Sequence, residues 1–121
     1  QTVINAVDAR GNGGVGVLLL QGVAELNDFE VRGTLADPSI GSGDGVVAAF
    51  GGQVTLRSGL SNTNVGNGVA IQGGSTGVLH DVTANDNAGW GVDQVCGTSS
   101  LDVQGVLNVE GNGFGGQRMC P

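Results

Sequence analysis

The chain has 121 residues, of which 25 are glycine, and it carries a net charge of −7 from eleven acids and four arginines, with no lysine. The length fits a single domain with a modest core, and the acidity disfavours binding to the phosphate backbone of nucleic acids. No segment reaches the roughly 20 consecutive apolar residues of a transmembrane helix, and no helical apolar stripe follows a capping signal, so a membrane span and a helical fold are disfavoured.

Two short sequence elements alternate along the chain. The first is a hydrophobic residue, two mostly polar residues, another hydrophobic residue and a polar stretch, and it covers residues 3–12, 26–32, 56–64, 79–87 and 103–112. The second is a Gly-x-Gly-hydrophobic element that begins at Gly14, Gly43, Gly66 and Gly89, with a degenerate copy at Gly113. Short β-branched groups separated by Gly, Asn, Asp and Ser are typical of strands and turns, so each repeat is predicted to hold at least two strands.

The spacing of the Gly-x-Gly element predicts how the strands assemble. Successive copies begin 29, 23, 23 and 24 residues apart. Repeats of this length with short strands cannot enclose a core alone, so they must stack. A leucine-rich repeat has a similar length, but it needs recurrent leucines and a helical return, whereas the recurrent residue here is Val. We therefore predict an all-β parallel β-helix, a solenoid of about five coils with about 23 residues per coil.

Stacking also predicts which side chains share the interior. The hydrophobic residues of the Gly-x-Gly element should form one inward ladder, made of Val17, Val46, Val69 and Val92. Three asparagines that each precede this element by two positions should stack as side-chain amides at one turn, namely Asn12, Asn64 and Asn87. The glycines are expected to occupy tight corners with positive φ.

The Asn and Gly-x-Gly-hydrophobic cadence resembles the right-handed β-helix repeats of the pectate-lyase-like superfamily over nearly the whole chain. The resemblance implies a right-handed solenoid, and it says little about function, because lyases, hydrolases, esterases, phage tailspikes and adhesins share the fold. Residues 1–121 are thus predicted to form one β-helix domain, a segment of a longer chain. Gln1 suggests a processed or trimmed start. The two cysteines of the last repeats suggest a natural C-terminal end, so the N-terminal end is expected to be the cut one.

The long first interval implies about six extra residues, and the stretch 33–40 is their most plausible location. Loops that project from a coil often carry binding groups, and a plain surface bulge is the alternative. A cleft beside residues 33–42 that contained two acids and an arginine would favour an enzyme.

The two cysteines occupy the same place in successive repeats. Cys96 lies four residues after Val92, and Cys120 lies four residues after Gly116. Stacking would bring their Cα atoms to about 5 Å, within the range of a disulfide, so we predict a bridge that staples the last coil. A buried pair of free thiols is the alternative. A bridge implies an oxidising compartment, which means a secreted or cell-surface protein.

Several features that suggest chemistry have simpler explanations. Residues 11–16 match GxGxxG, but no helix pattern follows and the repeat already accounts for those glycines. Strand alternation places His80 and Asp81 on opposite faces, so a lone surface histidine is expected rather than a working pair. The carboxylates that cluster in sequence do not recur as a close pair on one face; they are Asp81, Asp86, Asp93 and Asp102.

The motifs of enzymes in the superfamily are not found. Polygalacturonase-like members carry Asn-Thr-Asp, Asp-Asp, Gly-His-Gly and Arg-x-Lys elements, none of which occurs in this sequence. Pectate-lyase-like members combine calcium-binding acids with an arginine; Arg57 and Arg10 are available, but no acids around them are identifiable from sequence. We therefore predict no catalytic residue, metal ligand or cofactor, and the question of enzymatic activity stays open with a preference for none.

A candidate binding surface follows the second position of the Gly-x-Gly element. This position runs Val15, Asp44, Asn67, Trp90 and Phe114 from the first copy to the last. Stacked aromatics facing outward would bind sugar rings, and facing inward they would plug the core; the plug is the preferred interpretation. The candidate binding residues are Trp90, Phe114, Asp44 and Asn67.

These observations favour a non-catalytic, extracellular structural or glycan-binding module. The alternative is a fragment of a polysaccharide lyase or glycoside hydrolase whose active site lies on other coils. Because an open stack of coils exposes unpaired backbone, its ends should contact the rest of a parent chain or other copies. Polysaccharide is the expected ligand class, and neither nucleic acid nor a membrane span is expected.

Overall fold

A computed structural model describes residues 2–37, 39, 42–95 and 99–118 of the chain. The strands in these residues are β1 (Thr2–Asn5), β2 (Asp8–Arg10), β3 (Val15–Leu20), β4 (Val23–Asn27), β5 (Glu30–Arg32), β6 (Asp44–Ala49), β7 (Gln53–Asn62), β8 (Val69–Ile71), β9 (Thr76–Thr83), β10 (Trp90–Gln94), β11 (Ser100–Asn108) and β12 (Gly115–Arg118). The prediction of an all-β fold is confirmed at this level. Across the described ranges, no helix has the length and apolar character needed to cross a membrane.

The strands pair in parallel between segments far apart in the sequence. A five-stranded sheet has the order β12-β10-β8-β6-β3, and a seven-stranded sheet joins β1, β4, β7, β9 and β11 in one ladder, with β2 and β5 extending from β7. Thr2 pairs with Ala24, 22 positions on, and Val23 pairs with Gln53, 30 positions on. Parallel pairing over such intervals requires a crossover, which here is made by the strands of the other sheet.

The predicted valine ladder is confirmed. Val17 pairs with Val46, Val46 with Val69, and Val69 with Val92. A facing ladder in the seven-stranded sheet contains Ile4, Leu26, Leu56, Leu79 and Val103. The two ladders belong to one hydrophobic core in which the central members are fully buried. The core is therefore built mainly from columns of equivalent aliphatic residues, with Phe29 as a buried aromatic member.

The last copy of the Gly-x-Gly element lies one residue away from its predicted place. Val92 pairs with Gln117 rather than Gly116, an interval of 25 residues instead of 24. The extra residue enters upstream, because the register of β11 against β9 shifts between Gln104 and Leu107. The spacing of the glycines alone therefore misaligned this end of the stack.

The glycines of the repeat mainly allow close approach rather than unusual φ angles. At one bend the residues with positive φ are Ala6, Asp28, Ser58, Asp81 and Gly105, only one of which is glycine. The second glycine of the element instead faces neighbouring backbone: a Cβ on Gly68 would lie 2.7 Å from the Gly91 carbonyl oxygen, and one on Gly91 would lie 2.6 Å from that of Gly116. The prediction of glycine at the corners is thus only partly right.

A ladder of asparagine side chains runs through the interior beside these glycines. Asn64 and Asn87 are 2% and 1% exposed, and the Asn64 side-chain amide donates to Asn87 Oδ1 at 2.9 Å. The Asn87 amide donates in turn to Asn112 Oδ1 at 3.0 Å. Thr34 takes the next position, and it separates this ladder from Asn12. The predicted amide ladder therefore forms between Asn64 and Asn87, extends to Asn112, and is interrupted before Asn12.

The insertion begins slightly later than predicted. Gly13 forms a bridge with Leu35, and the Gly43 N–H donates to the Gly14 carbonyl at 2.8 Å. Since Gly13 and Gly14 are consecutive, the extra residues are those at 36–42. The difference arises because residues 33–35 still follow the path of the neighbouring segments.

We predict that Asn87→Ala lowers the free energy of unfolding by about 2–4 kcal/mol, because it leaves buried donors of Asn64 without an acceptor. Asn87 Oδ1 accepts from both the backbone and the side-chain nitrogen of Asn64. Urea unfolding measures the loss. The control is Asn5→Ala, which removes an exposed acceptor of the Asn27 amide and should cost less than about 1 kcal/mol. Equal losses in the two variants would show that the interior ladder contributes nothing special.

Candidate functional site

The outer face of the five-stranded sheet brings the candidate binding residues together. Val46 and Ala48 of β6 belong to the main core, whereas Val47 and Ala49 belong to a separate cluster with Ala70. Alternate residues of a strand point to opposite faces, so this second cluster marks the outer face.

A column of polar contacts links three of the predicted binding residues. Asp44 Oδ1 accepts a hydrogen bond from the Asn67 backbone N–H at 2.7 Å. Asn67 Oδ1 accepts from the Trp90 backbone N–H at the same distance. Each side chain thus caps the strand start of the next segment, so Asp44, Asn67 and Trp90 form one line across the sheet.

Phe114 contacts Trp90, although it is not the residue that pairs with Trp90 as predicted. Trp90 pairs with Gly115, because of the extra residue in the last interval. The Phe114 ring nevertheless contacts the Trp90 ring edge to face, with centroids 6.4 Å apart and planes at 68°. Phe114 is 72% exposed, and Trp90 is only partly buried. The expectation that the two aromatics plug the core is therefore wrong; they lie at the surface.

An ion pair places a guanidinium group beside the Trp90 ring. Arg118 donates from Nε and Nη2 to the two carboxylate oxygens of Asp93, at 2.7 and 2.8 Å. The Arg118 guanidinium carbon lies 5.7 Å from the centroid of the Trp90 ring, within the range of a cation–π interaction. The hydrogen bond and charge of Asp93 raise the pKa of Arg118, so the guanidinium stays protonated. We call Trp90, Asp93, Phe114 and Arg118 the aromatic–arginine patch.

Sequence reasoning did not assign Asp93 and Arg118 to this site. Asp93 was grouped only with the other acids that cluster in sequence. The sequence did contain a signal for this pair. Trp90 pairs with Gly115, and Asp93 and Arg118 each lie three residues after these two partners. The misplaced register of the last repeat concealed that these two residues are paired across neighbouring strands.

A groove of about 280 Å³ lies on the same face, beside the insertion. Its lining residues are Val15, Leu18, Leu20, Ser42, Asp44, Val47, Ala49, Phe50 and Gln72. In this lining Asp44 is the only acid, and arginine does not occur. The arrangement of two acids and an arginine that would favour an enzyme is not found in the described part of this groove.

His80 and Asp81 form a contact that strand alternation did not predict. His80 Nδ1 lies 3.0 Å from Asp81 Oδ2. Asp81 has a φ of 55°, so the strand bends there and neighbouring side chains no longer point to opposite faces. The expectation of a lone histidine is therefore wrong. Both side chains are substantially exposed, and Asp81 Oδ1 also accepts from the Val106 N–H at 2.8 Å.

Acids do lie beside the two arginines for which none had been identified. Arg57 pairs with Glu25 at 2.7 Å, and Arg10 contacts Asp8 and Glu30 at 2.8 and 3.2 Å. These acids come from neighbouring segments or from the same strand. Among the residues that the structure describes, no three His, Cys, Asp or Glu side chains converge to hold a metal ion.

Cys96 and Cys120 lie outside the described residues. Their predicted bridge was based on an interval of 24 residues, and the neighbouring strands show 25. The disulfide stays a prediction.

No family model, curated protein or solved structure matches the chain. A function must therefore be inferred from its own residues.

We predict that Asp93→Asn increases the quenching of Trp90 fluorescence by acrylamide. The substitution removes the charge that holds Arg118 over the indole ring, so the ring becomes more accessible. Trp90 is the only tryptophan, so the signal is specific to this site. Asp102→Asn is the control, because Asp102 accepts a hydrogen bond from the exposed Gln104 side chain and is not part of the patch. Unchanged quenching in Asp93→Asn would mean that the ion pair does not shield the ring.

Proposed function

We propose that the chain is a right-handed parallel β-helix of five coils that binds glycans outside the cell without cleaving them. The coils would be β1–β3, β4–β6, β7–β8, β9–β10 and β11–β12. Parallel pairing of residues 22 to 30 positions apart supports this architecture, as does the ladder from Val17 to Val92. The amide ladder beside Gly45, Gly68 and Gly91 supports the resemblance to the pectate-lyase-like superfamily.

The observation that carries the binding proposal is the aromatic–arginine patch. A sugar ring presents apolar C–H faces and hydroxyl edges, so it is bound well by an exposed aromatic ring with polar groups beside it. Phe114 supplies the exposed ring. Arg118 supplies guanidinium donors, and the Asn67 amide lies 3.5 Å from Asp93 Oδ2 at the inner edge of the patch. Because Asp93 and Arg118 fix each other, the patch is organised before a ligand arrives.

The apolar groove extends the proposed binding surface along the same face. Asp44 lines the groove and bonds to Asn67, which in turn bonds to Trp90. The patch and the groove are therefore connected through hydrogen-bonded neighbours on successive strands. A linear polysaccharide that lay across the strands would contact both.

The second candidate function is that of a fragment of a polysaccharide lyase or glycoside hydrolase with an active site on other coils. The carboxylates beside Arg10 and Arg57 would favour it as one part of a site that the other coils complete, since an arginine with nearby acids is the combination that the lyase resemblance implies. The groove beside the insertion favours binding instead, since its one acid, Asp44, is already occupied by the Asn67 N–H.

We predict that Phe114→Ala weakens binding to a glycan-array hit by about 2- to 13-fold, the loss of about 0.5–1.5 kcal/mol expected for one aromatic contact. Isothermal titration with the best oligosaccharide measures it. Val106→Ala is the control, because Val106 is similarly exposed, at 68%, and belongs to neither the patch nor the groove.

An equal loss in both variants would place the ligand elsewhere, and the absence of any array hit would end the binding proposal. The same preparations are assayed for new reducing ends and unsaturated uronates. Release of either product by the wild-type chain would favour the enzyme.

We further propose that Cys96 and Cys120 are bridged, consistent with a secreted or cell-surface location. An offset of one residue between neighbouring strands corresponds to a Cα separation of about 6 Å, which a disulfide still spans. We predict that intact mass spectrometry without reductant gives a mass two hydrogens below the reduced chain. Alkylation of both thiols in the untreated, unfolded protein would contradict the bridge.

A further inference from the structure

One end of the strand stack exposes apolar residues whose counterparts in the next segment are fully buried. Ile4, Val7, Ala9, Val17 and Leu19 are only partly buried, although all five contact the main core. Leu18 and Leu20 are 48% and 51% exposed, whereas their partners in the next segment, Val47 and Ala49, are buried. A groove of about 300 Å³ opens there, lined mostly by these residues and their neighbours. This surface, which we call the β1–β3 end, has the composition of an interface.

The opposite end presents the same columns. Leu101, Val103, Leu107 and Val109 are partly buried members of the same core. Val103 continues the column that starts at Ile4, through Leu26, Leu56 and Leu79. In the described structure, β11 pairs only with β9 and β12 only with β10, so each has one unpaired edge. We call this surface the β11–β12 end.

We propose that a second copy of the chain binds head to tail, with its β1–β3 end on the β11–β12 end of the first. All strand pairs in the described residues are parallel, so this arrangement continues both sheets with the same direction. It places Ile4 of one copy against Val103 of the other, apolar on apolar.

The interior amide ladder gives this arrangement a direction. In each step an N–H donates to Oδ1 of the next segment: Thr34 to Asn64, Asn64 to Asn87, and Asn87 to Asn112. Asn12 occupies the equivalent position at the β1–β3 end, where it is exposed. A head-to-tail neighbour would offer its Asn12 Oδ1 to the Asn112 N–H. Two β1–β3 ends facing each other would not continue the ladder.

Charge favours the same arrangement. One column of equivalent residues runs from one end of the stack to the other. It begins with Arg10, which pairs with Arg32, and Arg32 pairs with Asn62. It continues through two hydrogen bonds, from the Asn85 N–H to Asn62 Oδ1 and from the Glu110 N–H to Asn85 Oδ1. The column therefore begins with a cation and ends with an anion, both exposed. Head-to-tail contact places Glu110 next to the neighbour's Arg10, so two opposite charges attract each other.

This inference rests on the stacked architecture of the proposed function and is independent of glycan binding. A head-to-tail contact uses two different surfaces, so it leaves one end open at each step and permits chains longer than a dimer. Growth that depends on protein concentration is thus the expected behaviour.

We predict that sedimentation velocity of the wild-type chain shows species larger than a dimer as concentration rises. Ile4→Asp blocks the β1–β3 end and Val103→Asp blocks the β11–β12 end, because each buries a carboxylate in the contact. Each variant alone should be monomeric, and an equal mixture should form dimers and nothing larger, since one intact end of each type remains. Circular dichroism and thermal melts establish that both variants are folded.

A wild-type chain that stays monomeric up to about millimolar concentration would overturn the inference, since even a weak contact associates measurably at that concentration. So would dimers of Val103→Asp alone, which would mean that two β1–β3 ends meet.

A surface variant tests the same contact if the buried substitutions unfold the chain. Glu110→Arg should weaken association by about two- to five-fold at low salt. Adding Arg10→Glu to the same chain should restore association, and no restoration would count against the contact. Glycan binding by monomeric variants would leave the proposed function standing.

Discussion

The structure depends on parallel backbone pairing between residues roughly two dozen positions apart. Each segment of strands encloses too little volume to bury its own side chains, so its stability comes from the segments on either side. The constraint acts on composition, because a residue that points inward must fit the residues above and below it. The column of Leu26, Leu56 and Leu79, each at most 1% exposed, shows such matching of size.

The same pairing determines how polar groups are satisfied. In the interior, asparagine is tolerated because its amide can both donate to one neighbour and accept from another, as Asn87 does between Asn64 and Asn112. Thr34 shows the limit of this arrangement. Its hydroxyl oxygen is buried without a hydrogen-bond partner. On the outer face, the side chains of Asp44 and Asn67 accept hydrogen bonds from the backbone N–H groups of Asn67 and Trp90. These bonds align Trp90 with the other two residues.

Sequence reasoning predicted those features that repeat at constant spacing. The valine ladder follows from the Gly-x-Gly element alone, because nothing interrupts the interval between Val46, Val69 and Val92. Local departures from the repeat were not predictable in this way. The extra residue near Gly105 shifted the last register by one position, which separated Phe114 from its expected column and concealed the pair of Asp93 and Arg118. The positive φ of Asp81 likewise brought it to His80, and strand alternation has no means of anticipating a bend at a non-glycine residue.

The open ends follow from the same constraint, because the outermost segments lack a neighbour on one side. The net charge of the chain opposes association of copies at these ends. A charge of −7 makes copies repel one another at long range, which favours a dispersed protein. At physiological ionic strength that repulsion is screened beyond about 8 Å, whereas contacts made at an end are shorter and less affected. Apolar burial and backbone pairing at the ends do not depend on charge at all. Moderate salt should therefore strengthen end-to-end association, even though it weakens the single contact between Glu110 and Arg10, because the repulsion it removes involves the whole acidic surface.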